Sequence, residues 1–311
     1  WNDHRHVELY FAISGLGAIC HTINPRLFAQ QIDYIIAHAK DRWLFIDPGL
    51  LSVLGGLDAR VVSVLEGVVV LGDAVPDEAG FLSVPVRAYE ELIAGEADAI
   101  DWPEFDERTA SSLCYTSGTT GNPKGVLYSH RSTLLHAWSI SLPDLVGLRA
   151  MDVALPVVPM FHVNAWGLPY AAALTGATLA MPGPRLDGAS LHDLIMRAGV
   201  TYAAGVPTVW LGLLEHLRAT GGQMPEGFRG LTGGSAMPRA LAEAFRDEFG
   251  VRLEHGWGMT ELSPVGAYNA PKPETEGLPP EARAAHATKQ GRAPFGVTLK
   301  IIDPDGNPMP W

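Results

Sequence analysis

Short apolar runs alternate with longer amphipathic stretches along most of this chain. Runs rich in Val, Ile, Leu and Ala recur at Trp43 to Ile46, Val68 to Leu71, Val153 to Val158, Ala177 to Met181 and Tyr202 to Gly205. They are apolar at consecutive positions, which is what a strand covered on both faces requires. Between them, Leu27 to Ala39, Ser190 to Ala198, Thr208 to Leu217 and Arg239 to Phe249 repeat their apolar residues with helical period. Strand, helix and strand in succession predict an α/β fold of layered βα subdomains, with mostly parallel sheets and helices on both faces. Glycine (34) and proline (24) punctuate the pattern, which has no fixed-period repeat.

Two stretches break the alternation. Gly95 to Thr109 is acidic and aperiodic, and Ala270 to Ala285 is rich in Pro and Glu, so both read as linkers. Beyond the second, Val297 to Ile302 followed by Asp303-Pro-Asp-Gly306 reads as the first arm of a β-hairpin. The expected division is a first α/β subdomain over 1–109, a second over 110–270, and over 271–311 a linker with the start of a small β-barrel-like subdomain.

Composition narrows the function. With 311 residues, 47% hydrophobic and 18% charged, the chain has a core's worth of apolar side chains and is not of disordered type. A net charge of −12 and a pI near 5.3 argue against a nucleic-acid binder, which carries a basic stripe. No apolar run reaches membrane-spanning length. Cys20 and Cys114 are the only cysteines, so a disulfide framework is not expected and a reducing cytoplasm is the default location.

The densest chemistry lies in Tyr115-Thr-Ser-Gly-Thr-Thr-Gly-Asn-Pro-Lys-Gly125, between the apolar runs Ser112 to Tyr115 and Val126 to Tyr128. Glycines let backbone N–H groups turn toward an anion, hydroxyls donate to it, and Lys124 adds a mobile positive charge. That combination suits a polyphosphate. It is not the P-loop of kinases and GTPases, in which Gly-Lys is followed directly by Ser or Thr. Here Lys124 stands between Pro123 and Gly125, and a strand is predicted to follow.

With this segment the sequence resembles the AMP-forming acyl-CoA synthetases, within the wider group of adenylate-forming enzymes. Two more segments agree in order. Gly233-Gly-Ser-Ala-Met-Pro238 is similar to the family's glycine-rich nucleotide loop, and His255-Gly-Trp-Gly-Met-Thr-Glu-Leu-Ser263 to its Gly-aromatic-Gly-x-Thr-Glu motif. Pro159-Met-Phe-His-Val-Asn-Ala-Trp166 and His21-Thr-Ile-Asn-Pro-Arg-Leu27 resemble segments of the fatty-acid ligase branch.

The resemblance implies a two-step reaction, in which a carboxylate and ATP give acyl-adenylate and pyrophosphate, and coenzyme A then displaces AMP. By the same resemblance, Thr116, Ser117, Gly118, Thr119, Thr120, Gly121 and Lys124 hold the β- and γ-phosphates. Thr260 bonds the α-phosphate, Glu261 ligates Mg²⁺ with Thr116 close by, and Trp257 lies against adenine. Gly234, Ser235, His255 and Gly256 approach the nucleotide. His162 is a gate between nucleotide and acyl sites, and Val163, Trp166, Val206, Pro207, Thr208 and Gly233 line the acyl site, with Phe161 and Trp210 in the same segments. Taken alone, Glu261 beside Thr260 would also suit a helix start, Trp257 a core and His162 a structural histidine.

No Lys or Arg stands among the acyl-site residues, so a neutral medium- or long-chain acid fits best, and a short thioether acid or an aromatic acid would meet similar walls. The expected partners are that acid, ATP and coenzyme A, with no nucleic acid and no integral membrane segment; a homodimer is one assembly open to it. Relatives in the family continue to a Tyr-x-Thr-Gly-Asp motif and a small lysine-bearing domain, neither of which occurs here. The expectation is therefore an internal piece of a longer ligase that alone turns over poorly. The rivals are an adenylating enzyme serving a carrier protein, luciferase-like chemistry, and a non-catalytic nucleotide-binding derivative.

Overall fold

A computed structural model describes residues 1–116 and 121–310. The chain divides into two compact units: Trp1 with Asp3–His130, and Asn2 with Arg131–Trp311.

The first unit carries β1 (Cys20–Thr22), β2 (Trp43–Ile46), β3 (Gly67–Val70), β4 (Val86–Ala88), β5 (Ala110–Tyr115) and β6 (Gly125–Ser129). Strands β2, β3 and β4 form one parallel sheet. Its centre, β3, is buried at every position, with Val68 and Val70 packing among Ile32, Ile36, Leu51 and Leu54 on one face and Val69 with Leu9 and Tyr89 on the other. The consecutive apolar run is thus explained by the period of two, which sends neighbours to opposite covered faces. The other sheet has order β1-β5-β6, parallel between β1 and β5 and antiparallel between β5 and β6. Helix Ala29–Ala39 sets Ile32, Ile35 and Ile36 into the core and ends at Lys40, in the left-handed region at φ 59°. No helix or strand lies within 94–109, and the first unit runs on across that stretch to His130.

The second unit is built on a six-stranded sheet of order β12-β11-β10-β9-β7-β8. Its strands are β7 (Val153–Pro156), β8 (Thr178–Leu179), β9 (Tyr202–Gly205), β10 (Arg229–Thr232), β11 (Arg252–Gly258) and β12 (Val265–Tyr268). All neighbours are parallel except β11 and β12. Helices Gly188–Ala198, Pro207–Thr220 and Arg239–Phe249 pack Leu191, Ile195, Leu213, Leu217, Leu241 and Phe245 against one face. Helix Leu168–Thr175 packs Leu168, Ala171 and Ala172 into the cluster holding Tyr202 and Ala204 on the other.

The stretch Ala270 to Ala285 is not a bare linker. It forms helices Pro273–Glu276 and Pro280–Ala287, each opening on a proline. The prolines that suggested irregular chain sit in the first helical turn, where the missing N–H has no partner to lose. The terminal hairpin forms as expected but is shorter, with β13 (Ile301–Ile302) pairing antiparallel with β14 (Pro308–Met309). No helix among the described residues is long and apolar enough to cross a membrane.

Candidate active site

In the first unit, β5 and β6 are the arms of a hairpin whose connection is the hydroxyl- and glycine-rich segment. Ser117, Gly118, Thr119 and Thr120 lie outside the described residues. The neck is closed by the Thr116 N–H, which donates to the Lys124 carbonyl at 2.9 Å, and by the pairing of Tyr115 with Gly125. Gly125 has a packing reason to be glycine: a Cβ there would stand 3.1 Å from Cζ of the Tyr115 ring. Lys124 is exposed, with its backbone tied down and its side chain toward solvent. A strand does follow the motif, as predicted.

The second unit holds the remaining segments. Strand β8 lies on one side of β7, while the chain continues through β9 on the other. In open parallel sheets such a reversal opens a crevice at the carboxyl ends of the two central strands, and ligands bind there. The chain leaving β7 runs through Val157 to Trp166, and the chain leaving β9 runs through Val206, Pro207 and Thr208. Val157 and Val158 both donate to the Ala204 carbonyl, at 3.0 and 3.1 Å, so the two exits start side by side. The segments read as acyl-pocket pieces thus emerge at the sheet's switch point.

The exit from β7 is held in an unusual conformation. Val163, Asn164, Ala165 and Trp166 all have positive φ, between 48° and 55°, and Gly167 follows at 77°. A left-handed turn of non-glycine residues costs about 1–2 kcal/mol each, so tertiary contacts must hold it. Ahead of it, the buried Asn2 side chain donates to the Pro156 and Val158 carbonyls at 2.8 and 2.9 Å and accepts from the Met160 N–H at 2.8 Å. Under it lies His136, so close that a Cβ on Gly167 would meet its Nδ1 at 2.6 Å. Burial pushes the His136 pKa down to about 4, keeping the ring neutral, and its Nε2 accepts from the Val265 N–H at 3.4 Å. Neither Asn2 nor His136 is marked by any motif, and sequence reasoning missed both.

The turn presents Trp166 to the glycine loop after β10. A Cβ on Gly233 would stand 3.1 Å from the Trp166 ring and 3.0 Å from the Gly256 carbonyl, and one on Gly234 would stand 3.3 Å from Val206. Gly234 also has φ 77°. Trp166, Val206, Gly233, Gly234 and Gly256 are therefore one contiguous wall. Val163 and Pro207 are buried, and Thr208 is exposed. Trp210 is not part of it: the ring is 1% exposed in the core, and its Nε1 donates to the Gly205 and Leu231 carbonyls, both at 3.1 Å. His162 is exposed, yet partial burial of its ring pushes the pKa below the ordinary value.

His255, next to Thr232 across β10 and β11, is buried and its side chain is occupied. Nδ1 lies 2.8 Å from the Thr288 carbonyl and Nε2 3.3 Å from the Ser235 carbonyl, so the ring ties the glycine loop to the end of helix Pro280–Ala287. Further along, Trp257 is half-exposed and lies across Gly266, where a Cβ would come within 2.5 Å of the ring. Thr260 is buried, and Glu261 is exposed in the short turn Thr260–Leu262. Glu261 stands in the first turn of that short helix, whose N-cap, Met259, offers no side-chain hydrogen bond. No group of three or more His, Cys, Asp or Glu among the described residues is placed to hold a metal.

The mostly parallel sheet with its switch point, the glycine- and hydroxyl-rich hairpin and the Thr-Glu turn fit the large α/β domain of adenylate-forming enzymes. The chain belongs to the AMP-binding enzyme family, whose profile matches residues 1–311. It is 50% identical over 311 residues to 3-methylmercaptopropionyl-CoA ligase of Ruegeria pomeroyi, covering 100% of this chain and 57% of that protein. It is 48% identical over 310 residues to medium-chain-fatty-acid–CoA ligase of Ectopseudomonas oleovorans, covering 100% of this chain and 56% of that protein. Among solved structures, a long-chain-fatty-acid-CoA ligase from Archaeoglobus fulgidus superposes with a TM-score of 0.81 at 22% identity, over 99% of this chain and 59% of that one. The chain thus spans a little over half the length of the curated relatives it matches.

Proposed function

We propose that this chain supplies the nucleotide- and acid-binding part of an AMP-forming acid–thiol ligase, which converts a carboxylic acid, ATP and coenzyme A into acyl-CoA, AMP and pyrophosphate. The observation that carries the reading is the wall of Trp166, Val206, Gly233 and Gly234 at the switch point. It borders β11, whose Gly256 carbonyl faces Gly233 and which runs on into Thr260 and Glu261.

Joining a carboxylate to a phosphate needs no covalent nucleophile from the protein. It needs the two anions aligned and their charge neutralised. Lys124 and the hairpin residues Thr116 to Gly121 suit the β- and γ-phosphates, and the Thr260 hydroxyl suits the α-phosphate. Trp257, with one face on Gly266, offers its other to adenine, and Gly234, Ser235, His255 and Gly256 frame the nucleotide. Magnesium, which in nucleotide sites is bound by one or two carboxylates with phosphate oxygens, suits the Glu261 carboxylate, and the Thr116 hydroxyl is a second oxygen of fitting chemistry; the ion would supply neutralisation of phosphate charge. His162 divides this end from the acid. Val163, Pro207 and Thr208 complete the acid's surroundings.

The wall carries no charged side chain, which favours an acid without a second charge. The relatives' names, a methylmercaptopropionyl ligase and a medium-chain fatty-acid ligase, fall in that class. Cytoplasmic location and a homodimer remain part of the proposal.

The experiment is pyrophosphate release with a panel of carboxylates, followed by thioester formation with coenzyme A, on the parent protein carrying this chain. Medium-chain and thioether acids should give both. Release without thioester would favour delivery to a carrier protein, and no release with any acid would favour a nucleotide binder without turnover. Glu261→Gln should cut turnover by about 10²-fold or more and raise the magnesium requirement. An unchanged magnesium titration would refute the metal assignment.

A further inference from the structure

The segment His21 to Leu27 has no place in the reaction as derived above, yet it lies against the neck of the phosphate hairpin. Strand β1 pairs with β5 so that His21 stands opposite Leu113, two residues before Tyr115. The His21 side chain is 6% exposed, and its Nδ1 lies 2.9 and 2.8 Å from the two Asp41 oxygens. Asp41 follows the left-handed Lys40 that ends helix Ala29–Ala39. The His21 ring packs on the Tyr115 ring at 5.2 Å between centroids.

A second contact comes from the last turn of the same helix. The Tyr115 hydroxyl is 2.6 Å from His38 Nδ1, and the His38 ring is stacked on Tyr34 at 5.2 Å with 21° between planes. Burial, with the Asp41 charge and Tyr34, pushes the Tyr115 pKa up, so the phenol stays protonated and donates a hydrogen bond to His38 Nδ1 in the tautomer that leaves that nitrogen free to accept. The remaining side of the ring lies over Gly125, where no side chain intervenes. Tyr115 is therefore gripped on three sides, at the residue before the one whose N–H closes the hairpin neck on Lys124.

We propose that Tyr115 is a positioning residue for the phosphate hairpin, held by the Tyr34–His38 stack and the Asp41–His21 pair at the carboxyl end of helix Ala29–Ala39. Their work is to keep the neck, and with it Lys124, in the geometry that meets ATP. The inference rests on the ATP-dependent reading of the hairpin.

The test uses Tyr115→Phe, which keeps the ring and loses the donor, and His38→Phe, which keeps the stack and loses the acceptor. In steady-state pyrophosphate release, each should raise KM for ATP by roughly three- to tenfold, the worth of one hydrogen bond. KM for the acid and the melting temperature should not move. The double variant should be no worse than either single one, because the two share one bond, and His38→Gln should restore most of the loss. Unchanged KM for ATP in both single variants would overturn the proposal. So would a parallel rise in both KM values with a lower melting temperature, which marks general loosening.

Hydrogen exchange at the Thr116 amide reads the same clamp without turnover. It should quicken in both Phe variants and stay slow in His38→Gln, and an unchanged rate in all three overturns the clamp. A wild-type protein that releases no pyrophosphate with any acid would instead sink the ligase reading, and the exchange measurement would still decide the clamp.

Discussion

Replacing Asp152 with Asn should weaken the second unit by an amount that depends on pH. Asp152 stands just before β7, Thr201 just before β9, and Arg229 opens β10, so one carboxylate joins the amino-terminal ends of three adjacent strands. Its side chain is 1% exposed; it accepts from the Thr201 hydroxyl at 2.8 Å and the Arg149 N–H at 2.8 Å and pairs with Arg229 at 2.9 Å. Burial on its own would raise the pKa. The bonds from Arg149 and Thr201 and the Arg229 charge outweigh it and hold the carboxyl at about 2. Against an ordinary 3.8, that is worth roughly 2.5 kcal/mol at neutral pH. Both arginines reach solvent, at 74% and 34% exposure, so screening trims the figure to about 1–2 kcal/mol. Because the folded pKa is the depressed one, the contribution is complete above about pH 5 and is lost as pH falls toward 2. Urea unfolding of wild type and Asp152→Asn should therefore differ by about 1–2 kcal/mol at pH 7 and by about half as much at pH 3. A gap that stays constant from pH 7 to pH 3 would refute the electrostatic account and leave only lost shape complementarity.

Glu254 should behave with the opposite sign. Burial pushes its pKa above the ordinary value while the Tyr268 hydroxyl donates to it, so Glu254→Gln should be more stable than wild type at pH 7, with the difference vanishing below about pH 4 in the same urea assay. Gly233→Ala should lower kcat/KM for the acid about tenfold with little change in melting temperature, because the new methyl presses on Trp166 and the Gly256 carbonyl at the wall. Gly188→Ala should destabilise by about 1–3 kcal/mol, since its Cβ would stand 2.2 Å from the Gly212 carbonyl; Gly212→Ala, with nothing within 4 Å, should stabilise by about 0.5–1 kcal/mol. Chemical denaturation of the pair checks both.

The amphipathic helices read from their period were legible, because each carries its own signals, whereas helices His4–Gly15 and His130–Ile140 were not among them. Helix Arg239–Phe249 has the expected bounds and ends at Gly250 in the left-handed region. Helix Gly188–Ala198 begins two residues before its apolar pattern, where Asp187 caps the Ser190 N–H, and ends at Gly199. Strands that lean on their neighbours were harder. Strand β10, Arg-Gly-Leu-Thr, has one large apolar residue and no alternation, and it exists because β9 and β11 pair with both its edges. In Ala270 to Ala285 composition misled, since proline marks helix starts as readily as loops.

The candidate site divides along the same line. Groups proposed to meet substrate directly must be of particular chemistry, so the glycines, hydroxyls, Lys124, Thr260 and Glu261 stand out in the sequence. Groups that aim them can be almost any residue that fills the right space. Nothing about Val163, Asn164, Ala165 and Trp166 suggests a left-handed turn, and local preference runs against it. The turn is imposed from far away in sequence, by Asn2 on the strand exit before it and by His136 beneath Gly167. The adjacency of the two acyl segments is equally non-local: a whole strand, β8, separates them along the chain but not in the sheet, where β7 and β9 are neighbours. The topology that brings those two exits together also makes the reversal at which a parallel sheet opens a crevice. The same reversal therefore both opens the crevice proposed for the acid and delivers the residues that wall it, so the two cannot be separated by substitution at the wall alone.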